Sequence, residues 1–174
     1  MFVLVRHAHA GDKKSWPHAD EQRPLSELGW QQAEGLAENL LTLMRPAKLI
    51  ASPYLRCTQT LAPLARRAGI GITTEDLLAP GDDARALDQL LRDSPNDLFV
   101  YCTHGETLNA LLARWAGSSG WVGRKAEILA DGEPVTSRKT EKGAAWLVLP
   151  EPSLVVHYLR PLHVGPAVLD LEHR

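Results

Sequence analysis

The chain has 174 residues, of which 44% are hydrophobic and 23% are charged, a balance typical of one ordinary globular domain with a single core. Its formal net charge of −2 disfavours nucleic acid or an anionic membrane as a partner, because both need a basic surface. The two cysteines lie in no metal-ligand spacing, and no apolar run is long enough for a signal peptide or a membrane span. We therefore expect a cytoplasmic protein with reduced thiols and without a metal or cofactor.

Strand and helix patterns alternate along most of the chain. Short apolar, β-branched runs predict buried strands, and apolar residues at helical spacing, such as Leu36 and Leu40, predict helices. The predicted elements are a strand over 2–5, a loop over 8–24, a helix from 26 until Pro46, a strand over 48–51, a helix that Ser52-Pro53 caps and starts and that ends near Gly69, an edge strand over 71–74, a helix over 84–92, a strand over 98–102, a helix that follows His104-Gly105, a loop or irregular insertion over 117–143, and a hairpin of strands over 144–149 and 154–159.

This alternation predicts a single domain over 1–174 with a mostly parallel central sheet covered by helices on both faces, a three-layer α/β/α arrangement. Ligands of such sheets bind beyond the carboxyl ends of the strands. Three separate segments bring Arg6 with His7, Arg56, and His104 to that edge. Each residue alone is more often structural than functional, but their joint placement predicts a shared site.

Together these side chains could transfer a phosphoryl group. A neutral imidazole, here His7, avoids the repulsion that an anionic nucleophile meets at a phosphate dianion. The planar forks of Arg6 and Arg56 suit phosphate oxygens, and His104 could support the developing charge. The backbone N–H of Gly105, at a helix start, would also attract an anion.

The same residues resemble a known family. Val5-Arg6-His7-Ala8 is similar to the Arg-His-Gly signature of the histidine phosphatase superfamily, which includes the phosphoglycerate mutases, and residues 23–29, 51–60 and 103–106 resemble its later motifs in the same order. The resemblance implies a phosphoglycerate mutase-like fold and a phosphohistidine intermediate on His7. It makes Arg6 and Arg56 phosphate ligands, His104 the second catalytic histidine, and Arg23 a substrate contact at the pocket mouth.

The chain departs from the common family pattern in three places. Ala8 stands where most members have glycine, the usual glutamate acid is missing from residues 75–82, and no cap-sized insertion precedes Leu98. Residues 75–82 resemble instead the short SixA-type phosphohistidine phosphatases. A ring-protonated phosphoimidazole leaves as neutral imidazole, so its cleavage can dispense with a strong general acid. Asp82 is the best candidate acid, and a turn aspartate that caps the next helix is an equally good interpretation.

We therefore predict an uncapped phosphatase with an open, shallow site, acting on a phosphorylated substrate, specifically phosphohistidine in a protein. A small-molecule phosphomonoesterase of the same superfamily is the alternative. A metal-dependent hydrolase using His7 and His9, with Asp12 nearby, is a more remote alternative. A catalytically silent phosphate-binding module is the last, and any turnover of p-nitrophenyl phosphate would exclude it.

Overall fold

A computed structural model of the chain describes residues 1–81, 84–93, 98–117, 126–134, 139–150 and 154–161. Within these residues the strands are β1 (Phe2–Arg6), β2 (Lys48–Ala51), β3 (Ile72–Thr74), β4 (Phe99–Thr103), β5 (Glu127–Ala130), β6 (Glu133–Pro134), β7 (Ala145–Leu149) and β8 (Val155–Leu159). The α-helices are α1 (Glu27–Leu43), α2 (Leu55–Ala68), α3 (Ala84–Arg92) and α4 (Gly105–Ala116). No helix in the described ranges is long and apolar enough to cross a membrane.

The strands form one sheet in the order β3-β2-β4-β1-β7-β8-β5-β6. Its first four strands are parallel, and β7 and β8 continue it as an antiparallel hairpin. Cys102 of β4 lies opposite Val5 of β1 on one side and Ala51 of β2 on the other. Because these parallel strands end level with each other, the segments that follow β1, β2 and β4 meet at one edge, as predicted.

Alternate side chains of the sheet build two cores. On one face, Leu4 and Tyr101 pack with α3 and α4, and on the other face Val5 and Val100 pack with α1 and α2. A strand buried on both sides has no polar face, which explains why β1 and β4 are continuous apolar runs. The predicted three-layer α/β/α fold with a mostly parallel sheet is confirmed.

Two local expectations differ from the structure. The 117–143 segment, predicted as a loop or irregular insertion, contains β5 and β6 where it is described, and β5 extends the sheet beside β8. Its strands are too short, and too rich in charge and turn residues, for a period-two pattern to show. Helix α2 begins at Leu55, and its N-cap position is Tyr54. Ser52 therefore does not cap it.

Candidate active site

Three of the four predicted catalytic side chains touch one another at the carboxyl edge of the sheet. His7 follows β1, His104 is the N-cap residue of α4 just after β4, and Arg56 is the second residue of α2. Arg56 Nε donates to His7 Nε2 at 3.3 Å, and its Nη2 lies 3.4 Å from His104 Nδ1. The two imidazole centroids are 5.2 Å apart. The geometry thus joins two histidines through one guanidinium.

The hydrogen bonds of His7 define its tautomer. Its Nδ1 lies 2.8 Å from the carbonyl oxygen of Ala8, which can only accept, so Nδ1 carries the proton. Its Nε2 then accepts from Arg56 and keeps a lone pair. Burial, helped by the charges of Arg56, Arg6 and Arg23, lowers the pKa of His7 to about 3. The ring is therefore neutral at physiological pH, with its unprotonated nitrogen toward the site.

His104 is fixed by an equally specific set of contacts. Because the guanidinium of Arg56 can only donate, Nδ1 of His104 accepts, and its Nε2–H donates to Ser52 Oγ at 2.9 Å. The Tyr54 ring packs edge-on against the imidazole at 4.9 Å between centroids. Burial, and then the neighbouring His7 and Arg56, hold the pKa of His104 well below its ordinary value. The Ser52 hydroxyl, predicted as a helix cap, thus orients the second histidine.

Arg6 is held at the end of β1 by the 139–150 segment and by α4. Its Nη1 donates to the carbonyl oxygen of Thr140, and its buried Nε has no hydrogen-bond partner among the described residues. A Cβ at Gly105 would lie 2.7 Å from Arg6 Cζ. Gly105 therefore provides the space that the Arg6 guanidinium occupies, and its role as a substrate contact stays a prediction.

Arg23 and a carboxylate that the sequence did not single out complete the site. Arg23 Nη1 donates to the carbonyl oxygen of Ala10 at 2.7 Å, and its Nε donates to Asp20 Oδ1 at 2.8 Å. Asp20 lies in a 3-10 turn, Asp20–Gln22, and also pairs with Arg56 at 3.1 Å. In the sequence, the i, i+3 spacing of Asp20 and Arg23 indicates that the two could form an ion pair, but this spacing is common in surface turns.

Lys142 is a second residue that the sequence did not indicate. The N–H of the next residue, Gly143, donates to the carbonyl oxygens of Arg6 and His7 at 3.3 and 3.2 Å. Lys142 is half-buried, and burial together with the charges of Arg6 and Arg23 lowers its pKa. Lys142 comes from the segment that showed no periodicity, so only the fold reveals that it belongs near the site.

The predicted open, shallow site differs from the structure. The solvent-exposed fraction of the residue surface is only 6% for His7, 3% for Arg56 and 1% for His104. Part of the loop between β1 and α1, the turn that carries Asp20, lies directly against Arg56. The reactive groups are therefore buried, and the loop after β1 contributes by lying against Arg56.

Two further candidates have different outcomes. Asp82, the candidate acid, lies outside the described residues. The His9 ring, proposed with His7 for a metal, shares a 2.7 Å hydrogen bond with Ser26 Oγ, which also caps α1. In the described part of the chain, no three His, Cys, Asp or Glu side chains are grouped so that they could hold a metal ion. The geometry therefore gives the metal-dependent alternative no support.

Fold and site together define an α/β protein with a buried, arginine-lined histidine pair at the sheet edge. Residues 2–79 match the sequence profile of the histidine phosphatase superfamily, branch 1. This match assigns residues 2–79, which carry Arg6, His7 and Arg56, to the histidine phosphatase superfamily.

Individual relatives support this assignment. An 8-oxo-(d)GTP phosphatase of Mycolicibacterium smegmatis strain ATCC 700084 / mc(2)155 is 30% identical over 167 residues, which cover 91% of this chain and 48% of that protein. The chain thus spans about half the length of this relative. The protein histidine phosphatase SixA complexed with tungstate has a TM-score of 0.67 at 17% identity, covering 92% of this chain and 96% of its own. A mycobacterial glucosyl-3-phosphoglycerate phosphatase complexed with VO3 has a TM-score of 0.61 at 18% identity, covering 94% and 98%. Both solved structures share the fold.

Proposed function

We propose that this protein is a phosphatase that transfers a phosphoryl group to His7 Nε2 and then to water. The observation that carries the proposal is the tautomer of His7. Its Nδ1–H is bound to the Ala8 carbonyl, so the lone pair of Nε2 faces Arg56 and His104. A neutral imidazole with a fixed, unprotonated nitrogen beside a guanidinium is a nucleophile prepared for an anionic substrate.

In the first step, the lone pair of His7 Nε2 forms a bond to phosphorus while the bond from phosphorus to the leaving group breaks. The ring becomes cationic, and the Ala8 carbonyl stabilises it through the bond to Nδ1–H. Arg6 and Arg56 neutralise the equatorial oxygens. In the second step, water attacks phosphorus, the N–P bond breaks, and inorganic phosphate and neutral His7 result.

We propose phosphohistidine in a protein as the substrate, because neither the two histidines nor Asp20 has a proton to donate to a leaving group. His7 and His104 have lowered pKa values, and the pKa of Asp20 also lies below its ordinary value, so none is a protonated acid at neutral pH. A phosphoimidazole that is protonated on its ring leaves as neutral imidazole and needs no such donor. The fold shared with the protein histidine phosphatase SixA agrees with this choice.

A phosphatase of small molecules is the second candidate, acting on a phosphomonoester or on the phosphoanhydride of a nucleotide, and two observations favour it. The first is the 30% identity with the 8-oxo-(d)GTP phosphatase over nearly the whole of this chain. The second is the surplus of cations around the site, where Lys142 makes no ion pair with any described residue. A ligand with a second anionic group would use that charge.

The predicted cytoplasmic location is not tested by these observations and stays a prediction.

Turnover of three substrates by one preparation tests both candidates. The substrates are a phosphorylated histidine phosphotransfer domain, a nucleoside triphosphate and p-nitrophenyl phosphate, and phosphate release is measured for the wild type, for His7→Asn and for His18→Asn. His18 is an exposed histidine of the loop after β1 and serves as the matched control. We expect His7→Asn to abolish turnover and His18→Asn to retain it.

The ranking of wild-type kcat/KM values then decides the substrate class. Preference for the phosphohistidine domain supports the first candidate, and preference for the nucleotide supports the second. Equal activity of wild type and His7→Asn would exclude His7 as the nucleophile, and no turnover of any phosphorylated compound would contradict a phosphatase.

A further inference from the structure

Asp20 connects the two arginines that flank the reactive histidine. Its Oδ1 accepts from Arg23 Nε at 2.8 Å and its Oδ2 from Arg56 Nη2 at 3.1 Å, while its carbonyl oxygen accepts from Arg56 Nη1 at 2.7 Å. Lys13 Nζ adds a longer ion pair at 3.5 Å. Asp20 is thus the one acidic residue of the described site that binds two of its buried arginines at once.

The two edges of the Arg56 guanidinium have different partners. A guanidinium can bind an oxyanion through its end, with Nη1 and Nη2, or through its side, with Nε and one Nη. Asp20 takes the end, through its carbonyl and carboxylate oxygens. The side edge, Nε and Nη2, faces His7 Nε2 and His104 Nδ1. The side edge is therefore directed at the point where His7 would meet phosphorus.

We propose that Asp20 is a positioning residue for the phosphoryl transfer: by binding the end of Arg56 and the Nε of Arg23, it directs the side edge of Arg56 at the transferred phosphoryl group. The proposal rests on the proposed function for the reaction itself, while its binding consequence holds for any phosphate ligand. Asp20 touches no reacting atom. It acts by removing the freedom of two long side chains before the substrate arrives.

The electrostatics oppose a different role, that of the missing general acid. Partial burial favours the protonated acid, but the hydrogen bond from Arg23 and the charges of Arg56, Arg23 and Lys13 outweigh it. The pKa of Asp20 consequently lies below its ordinary value. A carboxylate that stays ionised can orient arginines at neutral pH, whereas it has no proton to give to a leaving group.

The test compares Asp20→Ala and Asp20→Asn with Glu21→Gln. Glu21 lies next to Asp20 in the same turn, is exposed, and its carboxylate accepts a hydrogen bond from Tyr54 OH. Its variant therefore removes one negative charge from the same turn without breaking a contact to an arginine. Kinetic constants are measured with p-nitrophenyl phosphate and with an alkyl phosphate. Calorimetry measures the Kd of inorganic phosphate, and thermal unfolding is followed for each variant.

Positioning predicts that Asp20→Ala lowers kcat/KM about a hundredfold and by the same factor for both leaving groups, with a weaker Kd for phosphate. Asp20→Asn should recover part of the loss, because its amide oxygen still accepts from Arg56. Glu21→Gln should match the wild type. A loss confined to the alkyl phosphate would identify Asp20 as an acid and overturn the proposal. The proposal would also be overturned if Asp20→Ala bound phosphate as tightly as the wild type while its unfolding midpoint stayed the same. If the wild type turns over neither the esters nor the phosphorylated histidine phosphotransfer domain, the proposed function fails, and the phosphate Kd still decides the role of Asp20.

Discussion

Replacing Gly105 by alanine should displace Arg6 without unfolding the protein. The new Cβ would lie 2.7 Å from Arg6 Cζ and 2.8 Å from its Nε. Ordinary contacts between such atoms are about 3.5–4.0 Å, so the guanidinium must move by roughly 1 Å, since the helix backbone at the start of α4 is less free to yield. This movement would break the hydrogen bond that Arg6 Nη1 donates to the Thr140 carbonyl oxygen.

A shift of this size at a catalytic group costs about a hundredfold in rate. Stability should change much less, because overpacking costs roughly 1–3 kcal/mol while alanine gains about 1 kcal/mol over glycine in a helix. The assay is kcat/KM with p-nitrophenyl phosphate, together with thermal unfolding. Gly71→Ala is the matched control, since nothing lies within 4 Å of a Cβ at that position. Wild-type activity in Gly105→Ala would refute the role given to Arg6 and to the space beside it.

Three further changes separate activity from stability. Ser52→Ala removes the acceptor of His104 Nε2–H, and we expect kcat to fall about fivefold to tenfold; an unchanged kcat would show that this hydrogen bond does not orient His104. Asp88→Ala removes the carboxylate that accepts hydrogen bonds from Arg92, Arg114 and the Trp115 indole. Urea unfolding should show a loss of about 3 kcal/mol in the free energy of unfolding, while kcat/KM of the folded protein stays unchanged. Burial holds the pKa of His7 at about 3, below its value in the unfolded chain. The unfolded state therefore binds more protons as pH falls from about 6.5 toward 3, the wild type should lose stability over that window, and His7→Asn should lose less.

The parallel strands and the edge where they meet could be predicted because both depend on local patterns. β1, β2 and β4 are apolar runs buried on two faces, and the residues at their ends follow from the direction of the chain. Arg6, Arg56 and His104 were therefore placed correctly at the sheet edge from the sequence. Their chemical roles remain predictions until the variants are measured.

The residues that orient this set could not be predicted, because their partners are distant in sequence and meet only in the fold. Asp20 lies in a loop without periodicity and reaches Arg56 across the site. Thr140 binds Arg6 from a segment expected to be irregular, and Ser52 had a simpler local interpretation as a helix cap. Hydrogen bonds between loops follow no repeat in the sequence, so they become visible only in the folded structure.

A covalent phosphoryl group on His7 is the central claim, and trapping it is the most direct measurement. Wild type and His7→Asn are mixed with excess p-nitrophenyl phosphate, quenched in base and analysed by peptide mass spectrometry. Phosphohistidine survives base and is lost in acid, unlike a phosphoserine or an acyl phosphate. We predict one base-stable, acid-labile phosphoryl group on the peptide that contains His7, and none on His7→Asn. Turnover without a phosphorylated His7 peptide, or an equal label in His7→Asn, would contradict the account.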